Sequence, residues 1–133
     1  MSECIFCKII RREIPAYIVY EDEHSLAFLD INPVSPGHIL VVPKKHYERI
    51  TDMPENDLKE FMASVQKVAK IVETRLSNDY NIVVNHGPGA GQIINHVHFH
   101  IIPRYGQEKL FAWTTHKLTE EEAKKILSIL NNE

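Results

Sequence analysis

The apolar positions of the chain follow two periods. Between about Pro54 and Leu76, the residues Leu58, Phe61, Met62, Val65, Val68, Ala69, Val72 and Leu76 recur at spacings of three and four. That spacing places one stripe on one face of a helix. Pro54 suits its first turn, where a missing N–H costs nothing. A second helix over about 119–131 closes the chain: Thr119 and Glu122 have the spacing of a capping box, and Ala123, Ile126, Leu127 and Leu130 make its stripe. Shorter apolar runs read as strands. Ile18–Tyr20 and Leu26–Leu29 flank the charged turn Glu21-Asp22-Glu23 as a hairpin, Ile39–Val42 is a buried central strand, and Tyr80–Val84 and Val97–Ile102 follow. Ile5 to Arg12 reads as a short helix or turn ending before Pro15, and Asn32-Pro33 and Ser35-Pro36-Gly37 are turn chemistry. Five strands and two main helices predict an α+β domain on a largely antiparallel sheet. No repeat, linker or low-complexity tract divides the sequence, so residues 1–133 are expected to form one domain.

Composition narrows the function classes. At 133 residues, 44% hydrophobic, the chain can bury a core without disulfide staples. A net charge of −3 gives no basic footprint for duplex nucleic acid. Any phosphate must be held locally, by backbone amides and a few side chains. The apolar runs are too short to cross a bilayer. In the opening MSECIFCKII, Glu3 and Lys8 interrupt what a secretory signal needs, so a cytoplasmic protein without a membrane partner is expected. Cys4 and Cys7 are the only cysteines. In a reducing compartment a CxxC is more often a metal or redox pair than a disulfide. No strand precedes it, which speaks against a thioredoxin-like role, and two thiolates need two more ligands to close a tetrahedral zinc site.

The eight histidines concentrate the chemistry. In His96-Val97-His98-Phe99-His100-Ile101-Ile102 a strand would turn Val97, Phe99 and Ile101 into the core and stand His96, His98 and His100 in a row on the other face. Neighbours in that row would be roughly 7 Å apart at the usual strand rise. Just upstream, Asn85-His86-Gly87-Pro88-Gly89-Ala90-Gly91-Gln92 is a glycine-rich loop whose amides could form an anion-binding nest. It lacks the G-x-x-x-x-G-K-[ST] pattern of a P-loop. Two chemistries fit the histidine row. Alternate histidines can ligate a catalytic zinc, or one neutral imidazole can attack phosphorus while its neighbours stabilise charge. Local spacing does not choose between them.

The flanking sequence does. Gly91-Gln92-Ile93-Ile94-Asn95-His96-Val97-His98-Phe99-His100-Ile101-Ile102-Pro103-Arg104 resembles the signature of the histidine-triad (HIT) family. Tyr20 to Glu23, Ala27 to Pro33 and Pro36 to His46 look like that family's N-terminal half. The resemblance covers about residues 4–105, and its nearest branch is the Hint-like nucleotide-binding group. It implies a HIT-like α+β fold and hydrolysis or transfer at the α-phosphorus of a purine nucleotide derivative, with no metal needed for the chemistry. It also implies a two-fold homodimer.

The same resemblance implies roles. His98 matches the nucleophile, His100 a residue that contacts the phosphate, and His38 a position close to the triad. Asp30 matches the carboxylate that accepts from both ribose hydroxyls, and Ile31 packs near the base. Asn85, Gly91 and Gln92 match contacts around the phosphate and leaving group. Ile93 departs from the pattern, since many Hint-like proteins carry a hydroxyl residue there. In relatives with an N-terminal CxxC, the partners of Cys4 and Cys7 are His46 and His96, which makes a structural zinc site. The tail from Gly106 onward is poorly matched, so no role carries over to Trp113 or His116. Two rivals stand beside this reading: a dinucleoside polyphosphate hydrolase of the fragile-histidine-triad type, and a non-enzymatic nucleotide-binding scaffold. His24, His86 and the cluster Lys44, Lys45 and Arg49 read as solvated surface.

Overall fold

The computed structural model describes residues 4–107, 109–111 and 114–131, so Trp113 lies outside the described residues. In chain order the elements are helix α1 (Ile5–Ile10), strands β1 (Ile18–Glu21), β2 (Ser25–Leu29) and β3 (Ile39–Pro43), and helix α2 (Glu55–Arg75). Strands β4 (Tyr80–Val84) and β5 (Phe99–Pro103) and helix α3 (Glu120–Asn131) complete the chain. The strands form one sheet in the order β1-β2-β3-β5-β4, and every neighbouring pair is antiparallel. No helix among the described residues is long and apolar enough to cross a membrane.

The sheet is covered on both faces, and strand alternation decides which residue faces which cover. Ala27, Ile39, Val41, Phe99 and Ile101 pack with Val97 against Phe61, Val65, Val68 and Val72 of α2. Leu26, Phe28, Leu40 and Val42 point the other way and pack against Phe6 and Ile9 of α1. His100 pairs in register with Leu40 and Val83. It therefore belongs to the α1 face, opposite the long helix. The α2 stripe is narrower than its spacing implies, because Met62 and Leu76 are 37% and 46% exposed. Met62 lies at the stripe's edge, and Leu76 follows the last helical residue.

A carboxylate ties the β1–β2 turn to α2. Asp22 accepts hydrogen bonds from Ser64 Oγ at 2.6 Å and Tyr20 Oη at 2.8 Å, and from the amides of His24 and Ser25 at 2.8 and 2.9 Å. Burial alone pushes this carboxyl up, but the four donors outweigh it and hold it at about 2.

Two expectations are corrected. The strand that was to start at Val97 starts at Phe99. The β3–β5 ladder ends at the pair Val41–Phe99, and two residues further along β3 stands Pro43, which has no N–H to offer. The Val97 amide donates instead to the Tyr47 carbonyl at 2.7 Å. His96 and His98 thus lie before the strand, although Val97, Phe99 and Ile101 still share the α2 face and the His96 and His98 rings pack on Phe6 of α1. The second correction concerns α3. Its Thr119 Oγ1 does cap the Glu122 amide at 3.1 Å, but the Glu122 carboxylate turns to His116 at 3.0 Å. No residue of α3 is buried, and Ile126, Leu127 and Leu130 are 45%, 56% and 71% exposed. The stripe exists, but nothing among the described residues covers it.

Asp22 gives a signed pH test. Its folded-state value of about 2 lies below the ordinary 3.8, so its stabilising contribution is present above pH 4 and is lost as pH falls through about 2. Melting curves of wild type and Asp22→Asn are expected to differ most near neutral pH and to converge towards pH 2. A gap unchanged between pH 7 and pH 2 would contradict the strut.

Candidate active site

The tautomers of the central imidazoles follow from their partners, since a carbonyl only accepts and an amide only donates. His98 Nδ1 lies 2.8 Å from the His96 carbonyl oxygen. Nδ1 therefore carries the hydrogen, and Nε2 keeps the lone pair. On β5, two residues on, the sense is reversed. The Val34 amide donates to His38 Nδ1 at 3.0 Å, so His38 Nε2 carries its hydrogen and donates to His100 Nδ1 at 3.0 Å. This leaves the hydrogen of His100 on Nε2. The His98 and His100 rings are 5.1 Å apart, closer than a flat strand would hold them. One site thus pairs a bare imidazole nitrogen with an N–H donor.

Burial keeps these rings neutral. His98 is 9% exposed. Desolvation holds its pKa below the ordinary imidazole value, although the His96 carbonyl and Asp30 pull it back up. Desolvation, reinforced by His98 and His38, lowers His100 to about 4. His38 is lowered mainly by burial, against the opposing pull of Asp30. Asp30 sits after β2 with Oδ1 accepting the Asn32 amide at 2.8 Å and Oδ2 lying 3.5 Å from His38 Nε2. The turn-capping role and the approach to the triad coexist in one carboxylate. Asp30, His38 and His100 are close enough to share a cation. The hydrogen on His38 Nε2 points into that space and opposes a metal there.

The glycine-rich loop folds back on itself. The amides of Ala90 and Gln92 donate to the Gly87 carbonyl and that of Gly91 to Pro88, each at 3.1 Å. Gln92 is 5% exposed and acts as a clasp. Its Oε1 accepts from the Gly87 amide at 2.8 Å, and its Nε2 donates to the carbonyls of Glu48 at 2.7 Å and Ile94 at 3.1 Å. The expected nest is therefore smaller: several of its amides are spent inside the loop. The Ile93 amide makes no backbone–backbone hydrogen bond among the described residues, and Ile93 is 90% exposed. Asn85 Nδ2 reaches the Gly91 carbonyl at 3.4 Å. Gly91, at φ 97°, would bring a Cβ within 3.4 Å of that same nitrogen, so only glycine fits there without strain. Ile31, which follows Asp30, is 79% exposed.

Cys4, Cys7, His46 and His96 converge at the start of α1. His96 Nε2 donates to the Pro43 carbonyl at 2.9 Å, so its Nδ1 lone pair faces the sulfurs, 3.4 Å from Cys4 and 3.6 Å from Cys7. His46 Nδ1 lies 3.3 Å from Cys7 Sγ. A tetrahedral zinc with metal–sulfur bonds of about 2.3 Å and metal–nitrogen bonds of about 2.0–2.1 Å sets each sulfur–nitrogen edge at about 3.6 Å. Three of the sulfur–nitrogen edges come within a few tenths of an ångström of that length, and all four donor atoms lie within 4.8 Å of one another. Burial, then the neighbouring Cys4, raises the Cys7 thiol, so a cation's charge is what would draw out its thiolate.

The sequence model of the HIT domain family matches residues 11–107. The chain belongs to the HIT family. Within it, the chain is 62% identical over 102 residues to an uncharacterized HIT-like protein of Methanocaldococcus jannaschii, covering 77% of this chain and 79% of that one. It is 38% identical to the adenosine 5'-monophosphoramidase of Schizosaccharomyces pombe, over 92% of each chain. A crystal structure of a HIT family member from Bacillus subtilis superposes with a TM-score of 0.88 at 41% identity, over 96% of this chain and 94% of that one. The HIT fold thus accounts for the sheet order and for the placement of the histidines around the start of β5.

Sequence reasoning missed the groups that hold the site in place: the carbonyls of Pro43, Tyr47 and Glu48 and the Val34 amide. All four act through the main chain, which leaves no mark in residue identity. Of the surface histidines, His86 is exposed as expected, and His24 lies 3.3 Å from Glu60. Lys44 pairs with Glu21 at 2.8 Å.

Because burial lowers both His98 and His100, the acid limb of kcat/KM for nucleotide turnover is expected below pH 6.5. A limb centred at the ordinary imidazole value would contradict the neutral, buried pair.

Proposed function

We propose that this HIT protein hydrolyses purine nucleotide derivatives at the α-phosphorus, with adenosine phosphoramidate-type substrates as its class. The observation that carries the reading is the opposed tautomer pair, a bare His98 Nε2 next to a His100 Nε2–H. The monophosphoramidase relative in fission yeast supports the substrate class. His98 Nε2 attacks phosphorus in line, the P–N bond breaks, and the amine leaves with a proton taken from solvent. Water then attacks the nucleotidyl-histidine and releases the monophosphate. His100 Nε2–H and the Ile93 amide donate to the phosphoryl oxygens, where charge stabilisation dominates this type of transfer. Asn85, which reaches the Gly91 carbonyl, contributes from the glycine loop. Asp30 accepts from the ribose hydroxyls and Ile31 offers an apolar surface to the base.

The test is a substrate panel with AMP release measured by chromatography. Adenosine phosphoramidates are expected to turn over faster than dinucleoside polyphosphates. His98→Asn should lose at least three orders of magnitude in kcat while still binding AMP. Asp30→Ala should erase the preference for ribose over 2'-deoxyribose substrates, because the acceptor left unpaired by a deoxy sugar is gone. A His98→Asn protein retaining a tenth of the rate would overturn the nucleophile.

The cysteine–histidine set is proposed as a structural zinc site, which suits a reducing, cytoplasmic setting. It would hold α1 against the entry to β5 and contribute to folding directly. One metal per chain by elemental analysis is expected, with a lower melting temperature for Cys4→Ser combined with Cys7→Ser. Chelated protein that stays folded should keep measurable turnover. Complete and zinc-reversible loss of activity in folded protein would instead favour a zinc hydrolase. We assign the protein a two-fold dimer as well. The edge strand β4, with Ile82 47% exposed, and the bare α3 stripe are the surfaces it would cover.

A further inference from the structure

Phe6 stands between the two cysteines on α1, one residue before Cys7. It is 4% exposed. Its ring centroid lies 5.1 Å from that of His98 at an interplanar angle of 76°, 5.8 Å from His96 at 78° and 5.6 Å from Phe28 at 63°. Among the described residues, Phe6 is the only ring other than a histidine that packs on His98. The hydrogen bond from His98 Nδ1 to the His96 carbonyl fixes one point of the imidazole. A ring held at one nitrogen can still tilt about that bond, and the tilt sets where the Nε2 lone pair points. In-line attack depends on that aim, and a misplacement of ~1 Å can cost on the order of a hundredfold in rate. An edge-to-face contact with a buried aromatic ring restrains the tilt.

We infer that Phe6 is a positioning residue for the nucleophile, and that helix α1 sets the aim of His98 through this one ring. The inference rests on the reading of His98 as the attacking group. It gives the CxxC helix a kinetic role besides its structural one.

The experiment compares Phe6→Leu, which loses the ring, with Phe6→Tyr, which keeps it, and with Ile9→Ala. Ile9 lies in the same cluster on the same helix and is 7% exposed, so truncating it loosens the packing while the Phe6 ring is kept. Phe6→Leu is expected to lower kcat for an adenosine phosphoramidate roughly tenfold, with KM, AMP affinity and metal content close to wild type. Phe6→Tyr should restore most of the rate, and Ile9→Ala should lower melting while leaving kcat within about twofold. Nuclear spin relaxation of the His98 ring reads the same claim without turnover, and its order should fall in Phe6→Leu alone. A folded Phe6→Leu protein with wild-type kcat and an equally ordered ring would overturn the inference. So would a loss of rate in Ile9→Ala matching that in Phe6→Leu. If Phe6→Leu does not fold, Phe6→Met keeps the volume and is read by the same criteria. If wild type turns over none of the panel, the proposed function fails, while the relaxation data still decide whether Phe6 steadies His98.

Discussion

The hydrogen bond from His98 Nδ1 to the His96 carbonyl, 2.8 Å long, organises the centre of the molecule. It assigns the lone pair of His98 to the outward nitrogen without any carboxylate partner. It works only if the His96 backbone is held still. Pro43 holds the His96 ring through its carbonyl, Tyr47 holds the Val97 amide, and the sulfurs of Cys4 and Cys7 face His96 Nδ1. The segment after β3 therefore serves as the frame on which the triad is mounted. Gln92 extends the same frame to the glycine loop by donating to the Glu48 carbonyl. The nucleophile, the loop and the cysteine cluster all lean on residues 43–48.

Electrostatics follow from this packing. The site gathers His38, His98 and His100 with a single carboxylate, Asp30. Protonating several of them together would place like charges within a few ångströms, in a setting short of water. Burial keeps the rings neutral, and neutrality is what both proposed roles need. A protonated His98 could not attack, and His100 donates equally well when neutral because His38 has already filled its other nitrogen. The His38–His100 pair is thus a wire of hydrogens that starts at the Val34 amide and ends at the site.

Much of the fold is legible in the chain because two periodicities carry it. The three- and four-residue spacing from Leu58 to Val72 marks α2, and the alternation of Val97, Phe99 and Ile101 marks the core side of β5. Both patterns record burial, and burial is what they report correctly: all three of these β5-side residues lie in the α2 core cluster. Where β5 begins was not legible, since it depends on Pro43 arriving opposite Val97 from a distant part of the chain. The grouping of Cys4, Cys7, His46 and His96 was likewise not legible from spacing, since Cys7 and His46 are 39 positions apart and Cys4 and His96 are 92 positions apart. It came from family resemblance, and the sulfur–nitrogen distances now give it a geometric basis. The α3 stripe shows the converse, an apolar pattern that is real but uncovered within the described chain. The glycine loop suggested an anion cradle, but its own carbonyls and Gln92 take up most of the amides.

The central claim is that His98 Nε2 forms a bond to phosphorus during turnover. The stereochemical course at phosphorus tests it most directly, using an adenosine phosphoramidate whose α-phosphorus is made chiral with sulfur and oxygen isotopes. Two successive in-line displacements, first by His98 and then by water, invert twice, so net retention is the expected result. Net inversion would show that water attacks in a single step, and it would contradict the account.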